Sequence, residues 1–160
     1  MISLDFLEKV EVFQDLDDHQ LTAVQKCCRE AEFRRGDKLF GAAEESSCLW
    51  AVVEGQVDLQ EASEGDAAPG KDPISSLSQG LVFGWSSLVP PHKYRLSAYC
   101  TTRQCKVLQI DRQCLTDHFK KDAKMGYLVM SRLLSDVGNR FYRLQDEVIR
   151  RRGEEIMNRW

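Results

Sequence analysis

No run of about 18 apolar residues occurs anywhere in the chain, so nothing in it reads as a membrane-spanning helix. The opening Met1-Ile2-Ser3-Leu4-Asp5-Phe6-Leu7-Glu8-Lys9 lacks both the basic leader and the unbroken apolar stretch of a secretory signal, which makes the cytoplasm the expected compartment. An excess of one charge is also missing. With 22 basic against 25 acidic residues the net charge is −3, so nucleic acid would have to find a local patch rather than a basic face. Catalytic signatures are absent as well: there is no nucleophile elbow, no H-E-x-x-H and no glycine-rich phosphate loop with its lysine, so no enzyme is expected. The six cysteines, Cys27, Cys28, Cys48, Cys100, Cys105 and Cys114, show neither C-x-x-C nor a Cys/His ligand spacing, and they read as reduced, buried thiols. His19, His92 and His118 are scattered, and neither a metal nor a haem is expected on them.

What is present is ordinary for a globular domain: 42% hydrophobic, 29% charged and 9% aromatic residues over a length that supports one core rather than two. Periodicity divides the chain into three parts. From Leu4 to about Ala31 apolar residues fall at helical spacing, with Asp18 as the expected cap of a helix carrying Leu21, Val24, Cys27 and Cys28. From Phe33 to about Ile110 short apolar runs punctuated by glycine take over: Lys38–Phe40, Leu49–Val53, Gln56–Leu59, Leu81–Phe83 and Cys105–Ile110. A series of short strands means a β-sandwich or barrel, and Glu61–Pro73, rich in turn formers, reads as a long exposed hairpin loop. After Asp111 the helical period returns almost to the end. Met130, Leu134, Val137, Phe141, Leu144 and Val148 form a heptad seam, while Leu128, Leu133 and Ile149 lie off it and leave a second flank for the helix's own domain. The seam either docks on that domain or, as preferred here, joins two parallel helices in a homodimer. Arg150-Arg151-Arg152 and Gly153 interrupt it, as a solvated helix end or as a patch for an acidic partner or nucleic acid.

Three stretches carry a resemblance. They are Arg35-Gly36-Asp37-Lys38-Leu39-Phe40, then Leu49-Trp50-Ala51-Val52-Val53-Glu54-Gly55-Gln56-Val57-Asp58-Leu59, and the segment Gly80-Leu81-Val82-Phe83-Gly84-Trp85-Ser86-Ser87-Leu88-Val89-Pro90-Pro91-His92-Lys93-Tyr94-Arg95-Leu96-Ser97-Ala98-Tyr99. Over about residues 4 to 150 the chain resembles the cyclic-nucleotide-binding domain of the catabolite activator and fumarate–nitrate regulator superfamily, and the last stretch looks like its phosphate-binding cassette. The resemblance implies a mainly β fold with flanking helices: a double-stranded β-helix, or jelly-roll barrel, over residues 1–124, followed by a dimerising C-terminal helix over 125–160. It implies a ligand site at Phe83, Gly84, Trp85, Ser86, Ser87, Arg95, Leu96 and Ser97, with Gln145 of the long helix reaching over it. It also implies a cyclic nucleotide, cAMP or cGMP, as the candidate ligand in place of any firmer cofactor.

The cassette departs from the family at three places. Trp85 stands where a glutamate usually holds the ribose hydroxyl, and an indole cannot accept that hydrogen bond. Each such charge-assisted bond is worth about 1.5–3 kcal/mol, or roughly tenfold to a hundredfold in affinity. Pro90-Pro91 remodels the loop, so that the phosphate-pairing arginine position falls on Arg95 or, with a one-residue slip, on Tyr94, and Leu96 replaces a small residue. A cyclic nucleotide, another small anionic or planar ligand, or no ligand at all are the three readings left open. The chain stops at Trp160, too soon after the long helix for the family's winged helix-turn-helix, so no autonomous DNA binding is expected. Two functions follow: a sensory or regulatory module that signals through its C-terminal helix, or a dimeric interaction domain whose cassette no longer binds ligand.

Overall fold

A computed structural model describes residues 1–62 and 72–160. Most of the expected Glu61–Pro73 hairpin loop therefore lies outside the described residues. Among the described residues the chain opens with α1 (Leu4–Leu7) and α2 (Asp18–Lys26), runs through eight strands, and closes with α3 (Arg112–Lys121) and α4 (Ala123–Asn158). The strands are β1 (Cys28–Arg34), β2 (Lys38–Phe40), β3 (Cys48–Glu54), β4 (Val57–Gln60), β5 (Ser75–Leu77), β6 (Val82–Phe83), β7 (Ser97–Cys100) and β8 (Gln104–Asp111). They form two four-stranded antiparallel sheets, ordered β1-β8-β3-β6 and β2-β7-β4-β5. The mainly β jelly-roll expectation holds, as two facing sheets rather than one closed barrel.

The central strands of the first sheet, β3 and β8, are buried on both faces, which explains why β3 reads as an unbroken apolar run. Successive side chains of a strand point to opposite faces. Leu49 and Ala51 of β3 join Leu108 and Ile110 of β8 in a core shared with the helices. Trp50 and Val52 join Cys105 and Val107 on the other face, packed against the second sheet.

Local chemistry sets the boundaries, and four of them differ from the sequence reading. The cap of α2 is Asp17 rather than Asp18: its side chain accepts from the Gln20 amide while Gln20 returns the bond, a capping box. That helix ends at Lys26, and Ala31 lies in β1 opposite Val107, because cross-strand pairing along the whole of β8 outweighs weak local helical periodicity. The helical stretch that follows Asp111 is two helices, α3 and α4. Asp122 breaks the first turn of α4 from α3 and caps the new start by accepting from the Met125 amide. Gly153 does not interrupt α4, which runs through it to Asn158. One side of α4 packs on the domain through Met125, Val129 and Leu133. The seam residues Leu134, Phe141, Leu144 and Val148 are exposed, whereas Val137 packs against the core.

The cysteines also depart from expectation. Cys27 and Cys114 are joined as a disulfide across 87 residues of sequence, while Cys28, Cys48, Cys100 and Cys105 are free. Burial pushes the Cys28 thiol up to about 12, so it stays protonated.

Candidate functional site

The cassette follows β6. Gly84 adopts φ +70°, and a Cβ there would meet the Trp50 side chain at 2.7 Å, so only glycine both makes the left-handed turn and fits against the indole. A single 3-10 turn, Trp85–Leu88, comes next, and then a loop with a cis Pro90-Pro91 bond and His92 at φ +57°. His92 Nδ1 lies 2.9 Å from the Ser87 carbonyl oxygen, which ties the ring to the start of its own loop.

Gly84, Trp85, Ser86, Arg95 and Leu96 come together around one cavity, whose remaining walls are Phe40, Leu59 and Tyr94. The other expected site residues lie elsewhere. Phe83 is fully buried beneath the cavity, with its ring 5.9 Å from both Phe40 and Trp50. Ser87 is buried and its hydroxyl has no partner. The Ser97 hydroxyl is taken by the Ala42 amide at 3.0 Å. Gln145 is exposed on α4 and does not line the cavity.

Two neighbours share the arginine position. Tyr94 points inward and stacks on Phe40 with ring centroids 3.7 Å apart, and its hydroxyl accepts from Trp50 Nε1 at 2.9 Å. Burial pushes the Tyr94 phenol above its ordinary range, so it is neutral. Arg95 sits at the rim with its side chain in solvent. The cavity left is about 70 Å³, far below the roughly 300–1,000 Å³ of pockets that enclose a small-molecule ligand. Trp85, 36% exposed, stands at its mouth.

A second, larger cavity of about 630 Å³ lies away from the cassette, between α4 and the β5 edge. Glu11 and Arg140 line it, and they form a link that sequence reasoning missed. Glu11 Oε1 accepts from the Val82 amide of β6 at 2.8 Å and from Arg140 Nη2 of α4 at 2.6 Å. Asp136, one turn before Arg140, faces the same carboxylate with one oxygen unpartnered. Burial raises the pKa of Glu11, against the opposing pull of the Val82 amide and Arg140, and burial likewise raises that of Asp136. One carboxylate thus holds the strand that carries the cassette and the long helix together. Glu11 and Arg140 are 129 residues apart, so no sequence spacing could have announced the pair.

Comparison with known proteins settles the family. The model of the cyclic nucleotide-binding domain matches residues 30–122. The chain belongs to the cyclic nucleotide-binding domain family. Its fold aligns with a crystallised cyclic nucleotide-binding protein of Geobacter metallireducens at TM-score 0.75 and 27% identity, covering 88% of this chain and 99% of that one. The Thermus thermophilus catabolite activator protein aligns at TM-score 0.69 and 18% identity, over 86% of this chain and 61% of that one. Human cGMP-dependent protein kinase 2 is 25% identical over 109 residues, 68% of this chain but only 14% of the kinase. This cyclic nucleotide-binding domain has the regulatory fold of its family, and no helix among its described residues is long and apolar enough to cross a membrane.

Proposed function

We propose that this domain is a non-catalytic, cytoplasmic regulatory module that takes a cyclic nucleotide, cAMP or cGMP, at the cassette and passes its state to α4. The observation that carries this reading is the Glu11 carboxylate, bonded at once to the β6 backbone and to Arg140. A shift of β6 on ligand binding changes the position favoured by α4, a population shift biased from the cassette. Arg95 at the rim meets the phosphate, Trp85 stacks on the base and moves off the mouth, and Tyr94 and Phe40 form the floor. A second copy covers the exposed Leu134, Phe141, Leu144 and Val148, so that the output is the geometry of a helix pair rather than DNA reading by the domain itself.

The 70 Å³ cavity and Trp85 in the glutamate position favour a second reading, an interaction domain with a sealed cassette. Thermal unfolding with cAMP or cGMP at about a hundredfold excess over Kd separates the two, since bound ligand then adds about 2.7 kcal/mol. The regulatory reading expects one nucleotide to raise the midpoint and Arg95→Ala to abolish the rise. No shift with either nucleotide leaves the sealed domain as the function.

A further inference from the structure

We propose that Cys27, Cys114 and His118 form, in their reduced state, a binding site for one thiophilic divalent cation of the zinc class. Their ligand atoms all lie within 4.8 Å of one another, and no other such group of cysteine, histidine and carboxylate side chains occurs among the described residues. Two elements bring them together. Cys27 is the C-cap of α2, whereas Cys114 and His118 lie one turn apart on the same face of α3. The Cys27 and Cys114 Cα atoms are 5.5 Å apart, so both sulfurs reach a common point without backbone movement. Two thiolates and a neutral imidazole are a donor set suited to zinc, leaving a fourth position for water. Cys114 and His118 are only half-buried, which gives a cation a way in.

Cys28, the immediate neighbour of Cys27, lies outside the set, its thiol donating to the Val24 carbonyl. Binding to the dithiol releases two protons as the sulfurs become thiolates. Oxidation closes the site: exchange with a low-molecular-weight disulfide such as oxidised glutathione forms the Cys27–Cys114 bond and returns two molecules of the reduced thiol. In either form the α2 end is tied to α3. The Gln20 amide, 3.0 Å from the Asp122 carboxylate, makes a second tie between α2 and the start of α4.

The test is cobalt and zinc titration of the full chain, reduced with a phosphine and kept free of oxygen. One equivalent of Co²⁺ is expected to give a sulfur-to-cobalt charge-transfer band that zinc displaces, that Cys114→Ser abolishes and that Cys28→Ser leaves unchanged. His118→Ala is expected to weaken binding by at least about tenfold, the least that even an outer-shell partner of a metal site is worth. In the wild type, zinc is expected to protect Cys27 and Cys114 from alkylation, read by mass spectrometry, so the assignment does not depend on a variant's folding. No charge-transfer band in the reduced wild type, a band that survives Cys114→Ser in a folded variant, or alkylation of both cysteines unaffected by zinc would overturn the proposal.

Discussion

Tyr94 turns inward at the cavity while Arg95 stays at its rim, and a hydrogen bond holds the tyrosine there. Its hydroxyl accepts from the buried Trp50 indole at 2.9 Å. Tyr94→Phe keeps the stacking on Phe40 but leaves that N–H unpartnered, at a cost of about 1–3 kcal/mol. Urea denaturation is expected to show a lower midpoint with an unchanged slope. The choice between Tyr94 and Arg95 was not legible in the sequence, because it depends on the path of the loop around Pro90-Pro91 and not on residue type. Gly84, by contrast, was legible: a left-handed turn against an indole admits little else. Asp136 sets a pH dependence. A carboxyl whose folded pKa is raised holds its proton more tightly when folded. Its contribution to stability is therefore full below the unfolded value of 3.8 and is lost as pH rises through the higher folded value. Asp136→Asn removes that loss, so its stability relative to wild type is expected to increase as pH goes from about 4 to 7, measured by denaturation at each pH.

At the scale of elements, the Glu11–Arg140 pair joins the N-terminal segment, β6 and α4 with both side chains largely buried, 18% and 17% exposed. Arg140→Ala leaves the Glu11 and Asp136 carboxyls facing each other without their cation. The loss expected is about 1.5–3 kcal/mol, the range for a hydrogen bond to a charged group. Arg132→Ala, which breaks the exposed pair with Asp15, is expected to lower the midpoint far less than Arg140→Ala in the same urea denaturation. The strands were legible because β3, β6 and β8 must fill two cores and are correspondingly apolar. The start of β1 was not, since Arg29 to Glu32 owe their strand to pairing with β8 rather than to any alternating pattern. The grouping of Cys27, Cys114 and His118 was not legible: no Cys/His ligand spacing stood out in the sequence, and Cys27 lies 87 residues from Cys114, so only the fold brings them together. The exposed seam on α4 carries its own expectation under the proposed pairing: the wild type should sediment as a dimer and Leu134→Glu with Phe141→Glu as a monomer, without lowering the unfolding midpoint of the domain, and a monomeric wild type would contradict the pairing.

For the molecule as a whole, the fold places the cassette after β6 and the long helix α4 beside the start of that strand, with Glu11 bonded to both. If the domain regulates, a change at the cassette must be felt at α4 through that contact, because a ligand shifts a conformational equilibrium only through differential interactions with its states. Hydrogen–deuterium exchange of the full chain, with and without cAMP or cGMP and in the wild type and Glu11→Gln, tests this directly. The account predicts that the nucleotide that binds will change exchange both at Gly84–Ser87 and along α4 from Asp136 to Leu144 in the wild type. In Glu11→Gln the change should be confined to the cassette. Protection at the cassette with α4 unaltered in the wild type, or no change anywhere under saturating nucleotide, would contradict it.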